Sequence, residues 1–343
     1  MSSYKQFPEV TQLRQLYDWI KIVPSQVLQQ KIRDLDVAYK NFFEKRADFP
    51  EYKKKGKSSD SFRFPQGFKV ENRRIFLPKI GWVGFFKSQQ IAGIPVHVTV
   101  ARRGNNWVVS IACKVNIPEV ETKTTEVGID LGIAKLCAMS DGTVIDNPRA
   151  LNRHKQKLAK LQRQLARKVK FSKNSQKVKA KITALHQKIA DTRYDHSHKA
   201  TTRIAKNHGL VVIEDLRVKD MSASAKGTID SPGRGVAQKS GLNREILDAG
   251  WGEFRRQLEY KLQWANGTIL AIDPKNTSRK CSVCGHTAKE NRKTQADFVC
   301  VVCGHTDDAD VNAAKNILRA GHALLACQAN GIPSAAGTGI SGL

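Results

Sequence analysis

Four of the seven cysteines stand in two like pairs, Cys281-x-x-Cys284 and Cys300-x-x-Cys303, fifteen residues apart and each followed at once by a glycine, Gly285 and Gly304. Two thiolates on one tight turn can converge on a single cation, and the glycine admits the left-handed backbone that such a knuckle needs. Two pairs complete a tetrahedral shell at about 2.3 Å per Zn–S bond, so the expected ion is a structural zinc with no open position. An odd cysteine count, and a start from Met1 to Tyr17 without the apolar run of a signal peptide, favour metal over disulfides. The basic neighbours Arg279, Lys280, Lys289, Arg292 and Lys293 add an expected contact with phosphate, beside the simpler role of a staple.

A second set of residues suits a different chemistry. Asp130 interrupts the apolar run Val127-Gly-Ile-Asp-Leu-Gly-Ile133, sharing a strand face with Gly128 and Gly132 while Val127, Ile129 and Leu131 point the other way. The glycines are expected to leave room for a metal and a phosphodiester. Glu214 follows Val211-Val-Ile213 at a strand end, and Asp310 opens the helical run that continues to Ile317, directly after the cysteine module. Carboxylates set in apolar elements are costly unless cations neutralise them, and hard oxygen ligands suit Mg²⁺ or Mn²⁺. Three acids on separate elements can hold two such ions about 3.5–4 Å apart, an arrangement that hydrolyses phosphodiesters. Taken one by one, Asp310 also fits a helix N-terminal acid and Glu214 a plain strand end; Asp308 competes with Asp310, and Asp215 with Glu214.

The elements that must position these groups follow from periodicity. Leu28, Ile32, Leu35, Tyr39 and Phe42 fall at helical spacing over 24–46, with the stripe read as core. A basic stretch, Tyr52 to Lys57, leads into short β-type runs at Ile75–Leu77, Trp82–Phe86, Val96–Val100 and Trp107–Val115, the last two joined as a hairpin about Gly104-Asn105-Asn106. A small antiparallel β-barrel or sheet is expected over about 60–120. From 126 the pattern becomes a buried strand and hairpin, Val127–Met139 and Val144-Ile145, as in the first strands of an α/β sheet, so a boundary falls near 125. Further on come a strand at Leu210–Ile213, a Gly/Ser/Lys-rich loop at Ser222–Gly241, one helix at Asn243–Ala265 and a strand at Thr268–Ile272.

The 58 Lys and Arg against 31 Asp and Glu give a formal charge of +27, which calls for a polyanionic partner; nucleic acid fits better than a membrane because the charge is spread through folded-looking segments. Residues 151–206 alone hold 17 Lys/Arg against Asp191 and Asp195, a net of +15. Leu158, Leu161 and Leu165, then Ile182, Leu185 and Ile189, fall at helical spacing on either side of the polar Phe171–Gln176, so two antiparallel helices with basic outer faces are expected to bind phosphate. No run of eighteen apolar residues occurs, and a cytoplasmic location without membrane contact is expected.

Five segments in this order, Gly128-Ile-Asp-Leu-Gly132, Val212-Ile-Glu-Asp-Leu216, Asn243-Arg-Glu-Ile-Leu-Asp-Ala-Gly-Trp251, Thr277-Ser-Arg-Lys-Cys-Ser-Val-Cys-Gly285 and Asp308-Ala-Asp-Val-Asn-Ala-Ala-Lys-Asn-Ile317, resemble the TnpB family of insertion-sequence proteins, relatives of type V CRISPR nucleases. The resemblance spans roughly residues 10–320. It implies an RNase H-like (RuvC) α/β nuclease core with an inserted zinc ribbon, preceded by a small antiparallel β-barrel and an N-terminal helical segment. The implied parts are a helical recognition remnant (1–58), a β-barrel wedge domain (59–125), the core (126–274) with its basic helical hairpin (151–206), the zinc ribbon (275–305), a final core helix (306–325) and a disordered tail (326–343). It further implies Asp130, Glu214 and Asp310 as a split active site binding Mg²⁺ or Mn²⁺, with Zn²⁺ on the four cysteines, a DNA target, and a guide RNA from the transposon locus. Such proteins are often labelled transposases, yet the implied chemistry is strand cleavage. Family members usually open with a strand carrying an aromatic-Arg/Lys-Pro-Thr-like signature and further helices, and Met1 stands downstream of that. The expectation is therefore an RNA-guided DNA endonuclease, shortened at its front; the alternative is a nucleic-acid-binding relic or regulator that does not cut.

Overall fold

A computed structural model describes residues 3–53, 60–116 and 121–329, and its chain divides into two compact units, Met1–Ile117 with Lys179–Gln187, and Pro118–Val178 with Lys188–Leu343. Most of the basic Tyr52–Lys57 stretch, and the tail from residue 330, lie outside the described residues.

The first unit begins with helices α1 (Ser3–Leu16), α2 (Asp18–Ile22) and α3 (Ser25–Phe43). The α3 helix starts after Pro24, whose fixed φ suits a helix entrance. Its core contribution is made near its start, by Val27 and Gln30, whereas Leu35 and Tyr39 of the predicted stripe are exposed. The difference has a local cause: near the start of α3, Val27 packs into a core cluster with Phe64, and the far end forms its own edge-to-face cluster of Tyr39, Phe42 and Phe49. Six strands follow, β1 (Ser61–Phe64), β2 (Lys69–Glu71), β3 (Arg74–Leu77), β4 (Gly81–Gly84), β5 (Ile94–Arg103) and β6 (Asn106–Lys114). They form two three-stranded antiparallel sheets, β1-β5-β6 and β2-β3-β4, which share a core of Phe64, Ile75, Leu77, Val98 and Val100. The β5–β6 hairpin turns at Gly104 (φ +62) and Asn105, where the sequence placed it.

The second unit holds the mixed sheet, built from β7 (Glu126–Leu131), β8 (Lys135–Met139) and β9 (Val144–Asp146) and, after helices α4 (Ala150–Ala166) and α5 (Lys173–Asn207), β10 (Leu210–Glu214). The short helix α6 (Val218–Met221), then α7 (Val236–Ala249) and α8 (Trp251–Trp264), lead to the last core strand, β11 (Thr268–Ile272). The strand order is β11-β10-β7-β8-β9, with β7, β10 and β11 parallel and the β7-β8-β9 meander antiparallel. One sheet face packs Val127, Ile129, Val211 and Ile213 against Ile246, Phe254 and Leu258 of α7 and α8. The strands β12 (Asp297–Val299) and β13 (Thr306–Asp308) pair as a separate ribbon before the last helix, α9 (Ala309–Ala329).

Three expected elements differ. The helix expected over Asn243–Ala265 is two helices broken at Gly250, whose φ of +71 lies where only glycine is unstrained, and the loop expected up to Gly241 already turns helical at Val236. The final helix runs to Ala329, past the expected tail boundary at 326. Both basic helices are present; Ser172 caps the second by accepting a hydrogen bond from the Ser175 N–H at 3.1 Å. Among the described residues no helix is long and apolar enough to cross a membrane.

Candidate functional site

Parallel pairing of β10 with β7 sets Ile213 opposite Ile129, so Glu214 and Asp130 follow as neighbours on adjacent strands. Side chains alternate along a strand, and Val212 packs with Ile317 of α9, so Glu214, two residues on, faces the same side. Asp130 shares that side with Gly128, which α9 covers, and Asp310 lies in the first turn of α9. Glu214 is buried and Asp130 half-buried. Burial, followed by the negative charges of Glu214 and then Asp310, pushes the Asp130 carboxyl up from 3.8 to about 7, with Arg292 opposing. Burial also raises Glu214, against the Thr277 hydroxyl that donates to its Oε1 at 2.6 Å. Arg292 Nη2 stands 3.3 Å from Asp310 Oδ1.

The two competing acids have other work. Asp308 caps α9, its Oδ1 accepting from the backbone N–H groups of Asp310 and Val311 at 3.0 and 3.2 Å, while its Oδ2 pairs with Lys135 at 2.8 Å. Although burial would raise it, the Lys135 ammonium and those N–H groups hold Asp308 below the usual carboxylate range. Asp215 pairs with Arg255 at 2.6 Å and is half exposed. Neither acid is among the charges that raise Asp130. The reading of the two glycines needs correction: a Cβ on Gly128 would meet the Ala314 carbonyl oxygen at 2.1 Å, and one on Gly132 the Lys135 oxygen at 2.9 Å. Their room is taken by α9 and by the β7–β8 turn.

The four cysteines come together as their spacing requires. Cys281 and Cys303 Sγ lie 3.7 Å apart, Cys284 and Cys300 Sγ 3.5 Å, and all four within 4.8 Å of one another. Tetrahedral ligands at the usual Zn–S length sit about 3.8 Å apart, so the donor set fits zinc. Each knuckle closes in the same way: Gly285 N–H donates to the Cys281 oxygen and Gly304 N–H to that of Cys300, both at 3.0 Å, with the glycines at φ +78 and +69.

The sequence reading missed the groups joining the two centres. Asn312, fully buried on α9, donates to the Lys280 oxygen at 2.8 Å and accepts from Ser282 N–H at 2.9 Å; Asn316 one turn on donates to the Thr277 and Lys280 oxygens at 3.0 and 2.6 Å. Thr277 in turn holds Glu214, so the first knuckle, α9 and Glu214 form one hydrogen-bonded unit. A legible signal existed: Asn312 and Asn316 stand four apart on the alanine-rich, core-facing side of a helix, where an amide must find partners.

A family model described as "Probable transposase" (OrfB_IS605) matches residues 96–225, and one described as "Cas12f1-like, TNB domain" matches residues 251–317. The "Putative RNA-guided DNA endonuclease InsQ" of Escherichia coli K12 is 54% identical over 312 residues, covering 90% of this chain and 77% of that protein. A "Putative RNA-guided DNA endonuclease" of Streptomyces pristinaespiralis is 37% identical over 311 residues, covering 89% of this chain and 73% of the relative. Among solved structures, a Cas12f1-sgRNA-target DNA complex has a protein chain of like fold, with a TM-score of 0.52 at 18% identity over 85% of this chain and 70% of that one. The chain belongs to the TnpB family of OrfB-type insertion-sequence proteins.

Proposed function

We propose that this chain is a transposon-associated, RNA-guided DNA endonuclease that hydrolyses phosphodiester bonds at Asp130, Glu214 and Asp310. The observation that carries the reading is geometric: the β7–β10 register sets Asp130 and Glu214 side by side and α9 opens with Asp310, and burial first, then the charges of Glu214 and Asp310, pushes the Asp130 carboxyl up to about 7. Such a cluster is stable in its charged form only beside cations, and its hard oxygen donors suit Mg²⁺ or Mn²⁺. When bound, the ions would supply an activated water and charge stabilisation for the leaving 3′ oxygen. The protein's part is to hold the donors: β7 and β10 fix Asp130 and Glu214 side by side, Thr277 orients Glu214, and α9 delivers Asp310. Arg292 Nη2 pairs with Asp310 Oδ1 at 3.3 Å, beside the cluster.

The cysteine module, 275–305, is a zinc ribbon that anchors α9 through Asn312 and Asn316 and so positions the third acid. Residues 126–274 are the RuvC-like core, 59–125 a wedge barrel and 1–58 a helical recognition segment, with the guide RNA coming from the transposon locus. The match over 90% and 89% of this chain to relatives named "Putative RNA-guided DNA endonuclease" supports this over a binding-only relic.

Two measurements test the reading. Asp130→Ala should abolish Mg²⁺-dependent cleavage while leaving nucleic-acid affinity near that of the parent; a cutting variant refutes the site. Sequencing RNA that copurifies when the chain is expressed with its flanking DNA should return one discrete species from the locus, whereas random fragments would favour the non-cutting binder.

A further inference from the structure

At the end of the mixed sheet away from the carboxylates, α5, α8 and the lead-in to β7 line two adjoining open clefts, the second formed by α5 alone. The first, about 400 Å³, is lined by Lys123, Thr202, Lys206, Lys261 and Trp264; the second, about 470 Å³, by His198, Lys199, Arg203 and Asn207, and shares Thr202 and Lys206 with it. The Thr125 hydroxyl bonds to the Asn207 carbonyl, tying the lead-in to the end of α5. Both β7 and β10 run from this end towards Asp130 and Glu214, so the clefts lie about 17 Å along the strands from the carboxylate centre.

The lining combines two properties that core packing does not require. Trp264 is 57% exposed, although it is the last residue of α8 and its neighbours Leu258 and Leu262 are fully buried. Its ring lies edge-on to Tyr260 at 4.9 Å, and Tyr260 carries the Arg256 guanidinium at 5.7 Å, so aromatic and cationic surfaces continue along α8. The rim is positive: Lys123, Arg203 and Lys206 make no ion pair among the described residues. Lys261 is half-buried with its ammonium donating to three neutral acceptors, the His198 oxygen at 2.9 Å and the Thr201 and Thr202 hydroxyls at 2.7 and 2.8 Å, so its charge has no carboxylate partner there. A cleft lined by an exposed indole and by the unpaired cations Lys123, Arg203 and Lys206, with Lys199 paired to Asp195, is complementary to an unstacked base and its flanking phosphates.

We propose that this cleft binds single-stranded nucleic acid, with one base laid on the Trp264 indole and the adjacent phosphates on Lys123, Arg203 and Lys206. It is a contact separate from the carboxylate centre and does not depend on the cleavage reading. Stacking and charge read neither base identity nor a 2′-hydroxyl, so short DNA and RNA single strands both occupy it.

The test uses the full chain freed of copurifying nucleic acid, in Mg²⁺-free buffer, with short oligo(dT), oligo(U) and a DNA duplex of equal length as probes. Trp264→Ala should weaken both single strands about tenfold and leave the duplex unchanged. Binding should quench tryptophan fluorescence, and Trp264→Phe should keep most of the affinity while removing part of that quenching, which a merely structural Trp264 would not do. Lys123→Ala with Lys206→Ala should lower the slope of log affinity against log salt by about 0.7 per lysine. Parent-like binding of both single strands by Trp264→Ala, or an equal loss on the duplex, overturns the proposal.

Discussion

With its carboxyl at about 7, Asp130 keeps its proton on a large share of molecules at neutral pH unless a cation displaces it. Its ordinary value is 3.8, so between 3.8 and about 7 the native metal-free protein binds more protons than the unfolded chain. The contribution of this group to stability therefore falls as the pH rises through that window, the reverse of a salt-bridged carboxylate. Thermal unfolding in the absence of Mg²⁺ should show a melting temperature that declines over this range, and Asp130→Asn should flatten the decline. Added Mg²⁺ should raise the melting temperature more at about pH 8 than at about pH 5, because only the ionised cluster is a good ligand set. A metal response independent of pH would speak against these carboxylates as the binding site.

Two elements meet with so little space that single atoms decide their spacing. Helix α9 lies on β7 at Gly128, where an added Cβ would stand 2.1 Å from the Ala314 oxygen and 2.7 Å from the Leu318 nitrogen, both backbone atoms that cannot move alone. Gly128→Ala should cost about 3 kcal/mol or more in urea unfolding, and a cost near zero would mean that α9 is not seated there. The ribbon is tied to α9 more selectively. Asn312→Ala leaves the Ser282 N–H and one bond to the Lys280 oxygen unmet, a loss of about 1–3 kcal/mol. Zinc content measured by mass spectrometry should be unchanged in that variant while cleavage falls, because the thiolates remain and the position of Asp310 does not. Cys281→Ser should instead lose zinc and melting temperature together.

For the molecule as a whole, a charge of +27 makes binding strongly dependent on ionic strength. Affinity for nucleic acid should fall steeply between low and moderate salt, and replacing several lysines of α4 and α5 by glutamine should reduce the slope. A flat response, or a slope unaffected by those replacements, would remove the two basic helices from the binding surface. The carboxylate centre and the Trp264 cleft lie at opposite ends of the same parallel strands, so variants at one should leave the other's readout intact.

Local pattern alone marked the strands at 127–139, 210–213 and 268–272, the β5–β6 turn and the cysteine knuckles, because each depends on side-chain alternation or on a spacing within a few residues. Gly250 stood in a run that keeps helical spacing on both sides, so periodicity continued across a break set by one backbone angle. The exposed half of α3 carries the same stripe as a buried helix; what differs is that Val27, near its start, reaches the core beside Phe64 while Leu35 and Tyr39 stay exposed. The role of Gly128, the choice of Asp310 over Asp308 as the charge felt by Asp130, and the amide links through Asn312 rest on contacts between residues far apart in the chain. Residue types by themselves determined the chemistry proposed for the chain, thiolates for one soft site and carboxylates for a hard one. Only the tertiary structure decided which carboxylates share a field, since that depends on strand register and on the seating of α9, and neither is written in any short segment.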